Sequence, residues 1–481
     1  MGKIGSFILI FCFIWHYGIT QHAKSGISVD INMNKQTGVI RPLHGGNLGP
    51  VAFRSALDFT DYFKACKIPL IRLHDVAWFG TNAVDISAIF KNFEDDPLKE
   101  DNYDFRETDD YIASIIATGA DIIYRLGQSI EWTKHKYDVN PPPDFKKWAI
   151  ICKHIIMHYN EGWANGFHYN IKYWEIWNEP NNTPRCWTGT EEQFFNLYEI
   201  TARTLKESFP GLMIGGPSVG AAAVIKDGKV QVYGFTDKFL RYCNKHSVPL
   251  DFFSWHNYNS NPWEMARLST YTRNILDQYG FPKTESIFDE WNYSPPSSAR
   301  LMQQGVQRAA WFAEQSSVKG GAFIADVLML LQDQPVDAAN FYTVVYGMWG
   351  LFSDMGVPHK SSYAFRAFAD LVNYTPLRLE TKYNIEDSLV ICTGMNKKKT
   401  EVAILVSNFT SSSKKVHFNL SNNFLVGPIK YTMYAVDETH DLSEIENREI
   451  KDNPTIKVTE NIKGPSVVLL KFLSGKEVSS K

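Results

Sequence analysis

Tyr173-Trp174-Glu175-Ile176-Trp177-Asn178-Glu179-Pro180 is an aromatic, apolar run of strand-like composition that stops abruptly at Asn-Glu-Pro. The stop leaves Glu179 at a strand's C-terminal end. Ile287-Phe288-Asp289-Glu290-Trp291-Asn292 is built the same way, with Glu290 in the terminal position. In a barrel of parallel strands, the C-terminal rim is where side chains converge for chemistry. The two carboxylates, 111 positions apart (290 − 179), are therefore predicted to face each other across one mouth.

Outward from these segments, strand-like runs alternate with amphipathic helical ones. The strands are predicted near 41–47 and at 70–74, 121–126, 173–177, 212–215, 251–256, 286–289 and 321–328. Helical patterns occupy 109–118, 144–159, 191–208, 237–246, 260–279 and 298–317. Strands separated by helices of this length need parallel crossovers, so the class is α/β and the fold a (β/α)8 TIM barrel over 41–372. After a closing helix at 363–372 the chain breaks into short β-rich runs with turns between them. Residues 373–481 are read as an antiparallel β-sandwich domain, joined by an N-terminal strand within 24–40, where 27–33 alternates apolar and polar. The charge-rich 437–452 stretch reads as a solvated loop. A chain of 481 residues exceeds what one core supports, which fits two domains.

Composition excludes several classes. The 49 basic and 52 acidic residues leave a net charge of −3, no footprint for nucleic acid. Hydrophobic residues at 44% and charged residues at 21% are globular values. Lys3 followed by the apolar stretch 4–15 has the form of a signal peptide, assigned to 1–23, and is too short to span a bilayer. Export to the periplasm or outside the cell is expected, without stable membrane insertion once the signal is removed. Cys66, Cys152, Cys186, Cys243 and Cys392 are odd in number and lack CxxC spacing. They suggest neither a zinc site nor a dense disulfide framework, and no metal or cofactor is expected. Most read as buried small hydrophobes, with Cys186 in the loop beside Glu179.

Cleaving a glycosidic bond needs an acid for the departing oxygen and a second carboxylate on the other side of the sugar. Glu179 and Glu290 supply that minimum. An amide beside the acid, Asn178, can hold the sugar 2-hydroxyl through a bond that tightens as charge develops.

Trp177-Asn178-Glu179-Pro180-Asn181 and Asp289-Glu290-Trp291-Asn292-Tyr293-Ser294 resemble the acid/base and nucleophile segments of glycoside hydrolase family 39, the β-xylosidase and α-L-iduronidase family of clan A. Also similar are Arg72-Leu73-His74-Asp75, Gly215-Gly216-Pro217-Ser218, Phe253-Ser254-Trp255-His256-Asn257-Tyr258 and Trp349-Gly350-Leu351-Phe352, so the likeness covers roughly residues 40 to 370. The resemblance implies a retaining mechanism with Glu290 as nucleophile and Glu179 as acid/base; exo action on a glycan or oligosaccharide is expected. Retention requires carboxyl groups roughly 5 to 5.5 Å apart. In the family pattern His256 and Tyr258 contact the sugar and the nucleophile. His74, Trp291, Trp349, His44, Asn47 and Gln128 fall at predicted strand ends and are candidate sugar contacts, with Arg72 as an ion-pairing residue beneath.

The β-xylosidases carry Asp-Val-Phe-Glu-Glu after strand eight, whereas 326–333 here is Asp-Val-Leu-Met-Leu-Leu-Gln-Asp. The charged hydroxyl clamps are replaced by apolar side chains, which opens the question of the sugar. Gln332 or Asp333 are the substitutes if the loop shifts, and Arg185 is the candidate partner for an acidic sugar. Two rivals are an endo-acting clan A glycanase of the cellulase or mannanase kind, and a catalytically silent glycan-binding protein.

Overall fold

The computed structural model describes residues 26–52, 56–294, 305–384 and 389–475; the signal-peptide assignment to 1–23 lies outside them. Eight parallel strands close into a barrel in chain order: Gly45–Asn47, Leu70–Leu73, Asp121–Leu126, Tyr173–Ile176, Met213–Val219, Phe252–Asn259, Glu285–Tyr293 and Ala338–Phe341. The last pairs with the first, Asn340 opposite Gly45. The barrel floor is apolar: Ile123, Phe252 and Ile287 are buried there against Leu70, Tyr173, Met213 and Ala338. These residues sit at or near the starts of their strands. Higher up, inward side chains turn polar and charged, which sets the site at the C-terminal rim.

Seven strands lie where the sequence pattern puts them. The eighth does not: 321–328 belongs to a helix, Val318–Leu330, and the strand is Ala338–Phe341. The helix is apolar on every face because every face is covered, by the helix Lys360–Tyr374 on one side and the C-terminal strands on another. A continuous apolar run does not distinguish a buried strand from a buried helix, and its 13 residues are long for a barrel strand. Gly321 permits the close crossing, since an added β-carbon would stand 3.1 Å from that of Ala364. The alignment of 326–333 with the xylosidase clamp fails with it. Gln332 instead accepts from the Arg41 N–H at 2.7 Å, and Asp333 pairs with Arg378 at 2.6 Å. Both lie away from the mouth.

Nine further strands form a sheet wrapped on its own core, and the remaining described strands pair in three two-stranded ribbons. Ile27–Val39 runs antiparallel to Leu377–Lys382 and parallel to Lys414–Ser421, tying the first described strand to the C-terminal sheet. Along Glu401–Asn408 the period of two is plain: Val402, Ile404 and Val406 enter the sheet's own core, while Ala403 and Leu405 join the barrel's. The 437–452 stretch read as a loop contains an edge strand, Asp441–Ile450. Its charges misled the reading, because an edge strand carries charge to resist pairing with another chain. Among the described residues no helix is long and apolar enough to cross a membrane. The five described cysteines are buried and unpaired.

Asp326 lies inside this interdomain helix, fully buried, with neither carboxyl oxygen hydrogen-bonded. Burial lifts its pKa well above the ordinary value. A carboxyl neutral in the folded chain but ionised when unfolded favours folding only at low pH, and its contribution declines as pH rises through the unfolded value of about 4. Asp326→Asn, neutral at all pH, should therefore be more stable than wild type at pH 8 by about 1–3 kcal/mol and lose that advantage at pH 4. Denaturant unfolding at both pH values checks this; an advantage equal at both would contradict it.

Candidate active site

The rim is organised by Arg72, at the end of the second barrel strand and completely buried. Its Nε donates to Glu175 at 2.7 Å and lies 3.0 Å from Asp289. Nη1 donates to Glu290 at 3.1 Å, and Nη2 to Asn178 and Ser218 at 2.7 Å each. One guanidinium thus ties together the ends of strands two, four, five and seven. With its Oδ1 held by Arg72, Asn178 keeps a buried Nδ2 that has no partner among the described residues. That is the donor a sugar hydroxyl needs.

The fourth strand ends in two left-handed residues, Trp177 at φ 76° and Glu179 at φ 45°, and this turn brings the Glu179 carboxyl back over the mouth. The Glu179 N–H donates to the Ser218 carbonyl at 2.8 Å, which holds the turn. Gly220 leaves room, since a β-carbon there would meet Glu179 Oε1 at 2.9 Å. His256 and Tyr258 leave the sixth strand on one face, as alternation requires. His256 Nδ1 lies 2.9 Å from Glu179 Oε1, and Tyr258 donates to Glu290 Oε1 at 2.5 Å. Asn182 donates to the other Glu179 oxygen at 2.7 Å. Carboxyl oxygens of Glu179 and Glu290 lie within 4.8 Å of each other and of a His256 ring nitrogen.

Electrostatics follow from this crowding. Burial opposes a charge on His256, yet Glu290, Asp289 and Glu179 outweigh it and push the imidazole up to about 10. Burial lifts Glu179 too, but the hydrogen bond and charge of His256, then Asn182, leave it below its ordinary value. Glu290 is raised, by burial first, with Glu179 adding to the lift against His256, Arg72 and Tyr258. Burial also drives Glu175 up to about 8, while Arg72 and His256 overcome burial at Asp289 and hold it at about 2. The two directions, His256 up and Glu179 down, are those of an ion pair with the imidazole as the cation.

Not every sequence-predicted residue reaches this cavity. Trp349 does, with its ring 5.0 Å from that of Tyr258. His74 is buried beside Arg72, where burial pushes its pKa well down and keeps the ring neutral. Asn47 donates to the Asp289 carbonyl at 2.9 Å and accepts from Arg72, so it supports the site from beneath. Three candidates point elsewhere. His44 is bonded to the Cys66 carbonyl and packed edge-on against Phe365 and Phe368. Gln128 accepts from the Ser87 hydroxyl. Trp291, one residue past Glu290, faces the opposite side of its strand and packs on Phe341. Arg185 lines the mouth, stacked over Trp132 and bonded to Asn182. Cys186 is buried with its sulfur 3.9 Å from Glu179.

Sequence reasoning missed Asn182 and Tyr342, which face the cavity, and Ser218, which bridges Asn178, His256 and Asp289. Asn182 carried a signal, three residues after Glu179 in the same turn. Tyr342 carried none once the eighth strand was misplaced.

The family model described as glycosyl hydrolases family 39 matches residues 27–372. A β-xylosidase of Caldicellulosiruptor saccharolyticus is 25% identical over 426 residues, 79% of this chain and 78% of that one. Among solved structures, a glucosidase from Croceicoccus marinus superposes with a TM-score of 0.78 at 21% identity, covering 94% of this chain and 100% of that one. A monomeric β-xylosidase from Caulobacter crescentus CB15 gives 0.68 at 16% identity, with 93% and 100% covered. These two structures share the fold. The family match spans the entire barrel and every residue of the rim cluster, so the chain belongs to glycosyl hydrolases family 39 and is a glycosidase.

Proposed function

We propose that the chain is a retaining glycosidase, β-xylosidase-like and exo-acting on a glycan or oligosaccharide, with Glu290 as nucleophile and Glu179 as acid/base. The observation that carries this is the approach of the two carboxyls to within 4.8 Å. Inversion places a water between carboxyls about 6.5 to 9.5 Å apart, whereas direct attack needs about 5 to 5.5 Å. Glu290 attacks the anomeric carbon as the glycosidic bond breaks, and Glu179 delivers a proton to the departing oxygen. Glu179 then takes a proton from water as that water displaces Glu290.

Glu179 must be protonated at the start. The proton comes from His256, whose Nδ1 is 2.9 Å from Glu179 Oε1. As substrate excludes water, the ion pair His256⁺–Glu179⁻ becomes the neutral pair, and Glu179 is armed by a single short transfer. Asn178 Nδ2 holds the 2-hydroxyl, and Trp349 and Tyr258 wall the catalytic subsite. A cavity of about 1540 Å³ exceeds the usual ~300–1,000 Å³ of a small-molecule pocket and favours, as a second reading, an endo-acting glycanase. Product size decides: monosaccharide release from oligosaccharide ends supports exo action, and mixed internal fragments the endo reading. Turnover of any glycoside removes the silent glycan-binding alternative. We also infer export by a cleaved leader, from Lys3 and the apolar stretch 4–15; protein found inside the cell with residue 1 retained would contradict it.

Glu290→Gln should abolish turnover, and Glu179→Ala should lower kcat by about 10²- to 10⁴-fold on unactivated glycosides but far less on dinitrophenyl glycosides, which need no proton. Equal losses on both leaving groups would sink the acid role. The alkaline limb of kcat/KM reports loss of the proton shared by His256 and Glu179. In wild type that proton is held by an imidazole raised to about 10. His256→Asn leaves a carboxyl alone to hold it, so the limb should move down by roughly two or more pH units. An unmoved limb in the pH–rate profile argues against His256 as the proton source.

A further inference from the structure

Asp75 is a carboxylate of the catalytic cavity that the two-step displacement does not use. It lies two residues beyond the second barrel strand and lines the mouth together with Glu179, Glu290 and Tyr342. Its backbone is left-handed, at φ 52°, a conformation that side-chain-bearing residues adopt at a cost. Its side chain is three-quarters buried, at 24% exposure, and that adds the cost of desolvating a carboxylate.

The protein returns little for either. Oδ1 accepts the Ile130 N–H at 2.9 Å and stands 3.3 Å from the neutral His74. Neither nearby arginine forms an ion pair with Asp75: Arg125 pairs with Asp85 through Nη2, and Arg72 with Glu175, Asp289 and Glu290. No protein donor among the described residues hydrogen-bonds Oδ2. Burial accordingly pushes the carboxyl up to about 7, the Ile130 N–H opposing and Asp85 and Glu290 reinforcing it. A strained, largely buried acceptor that lines the cavity, with one oxygen tied down and the other without a donor among the described residues, has its missing partner in the ligand. The donors a sugar offers are hydroxyls. A sugar carboxylate beside Asp75 would instead meet Asp75, Glu179 and Glu290, while Arg185 on the same cavity wall is already bonded to Asn182 and stacked on Trp132.

We propose that Asp75 is a specificity-determining residue: its free Oδ2 accepts a hydrogen bond from a ring hydroxyl of a neutral pyranose in the catalytic subsite and disfavours a uronic acid there. This rests on the glycosidase reading above. It moves hydroxyl recognition from the segment after the eighth strand, where it was sought, to the end of the second.

Asp75→Asn tests it. Asparagine tolerates the left-handed backbone and keeps an acceptor for Ile130, but presents an amide donor where Oδ2 was. The substrates are an aryl glycoside that the wild type turns over, its series of single-deoxy analogues, and the matching aryl uronide. In wild type, removing the hydroxyl gripped by Asp75 should lower kcat/KM by about 10- to 100-fold. In the variant the parent glycoside should fall by a similar factor, and that deoxy analogue should be no worse than the parent, while the penalties at other positions persist. The preference for the neutral glycoside over the uronide should narrow by about tenfold or more. A purely structural role would lower stability and leave every ratio alone; deoxy penalties and uronide preference matching wild type overturn the proposal. Should Asp75→Asn fold poorly, Asp75→Gly, which suits the backbone better still, is measured the same way. Wild-type turnover with unaltered ratios in the variant overturns the Asp75 assignment alone, whereas no turnover of any glycoside by wild type overturns the glycosidase mechanism with it.

Discussion

A fully buried guanidinium surrounded by Glu175, Asn178, Ser218, Asp289 and Glu290 is the constraint on which this rim depends. Removing an arginine from water is repaid only where nearly every N–H finds an acceptor in good geometry. Arg72 therefore dictates where four strand ends must lie, and they lie where the chemistry needs them. The planar fork matters: a lysine ammonium is a point donor and could not hold the Asn178 amide and the Glu290 carboxylate on separate sides of one group. By fixing Asn178 Oδ1, Arg72 also determines that Nδ2 is the atom offered to the ligand.

Two cations stand against the facing carboxyls of Glu179 and Glu290. Arg72 is permanent and faces Glu290 and the buried carboxyls below it. His256 is exchangeable and sits between the two facing carboxyls, 2.9 Å from Glu179 and 3.6 Å from Glu290. On the proposed mechanism, a fixed charge suits Glu290, which would have to be an anion when it attacks. On the same proposal a titratable one suits Glu179, which would gain a proton, lose it, and regain it. The environment separates the two glutamates by giving each a different kind of partner.

Much of this was legible in the sequence, for reasons that also explain what was not. Glu179, Glu290, His256 and Tyr258 stand at strand ends followed by chain-stopping residues, and spacing by two puts side chains on one face. Trp291 shows the limit: it is adjacent to Glu290, and adjacency on a strand means the opposite face. His44 and Gln128 failed because a polar residue near a strand end can satisfy itself on the backbone or a neighbouring hydroxyl instead of turning into the mouth. The misread 321–328 run is apolar on all sides because a second domain covers it, and burial from both sides erases the periodicity that separates helix from strand. Asp441–Ile450 erred in the other direction, its edge charges resembling those of a loop.

Backbone strain marks the same rim independently of any motif. Leu48, Asp75, Trp177, Glu179 and Ser218 are left-handed residues without glycine's freedom, and all lie within or just beyond barrel strands one, two, four and five. Each costs on the order of 1–3 kcal/mol and persists only where its surroundings over-determine it. Here the over-determination is visible: Glu179 N–H is bonded to the Ser218 carbonyl, Trp177 N–H to the Leu126 carbonyl, and the Ser218 hydroxyl to Arg72, His256 and Asp289. None of the apolar floor side chains belongs to such a residue, although Lys67, Asn170 and Ser247, in the turns leading up to strands two, four and six, are left-handed as well. Strain and buried charge thus depend on each other at the rim, the network holding the turns and the turns aiming the carboxyls into it.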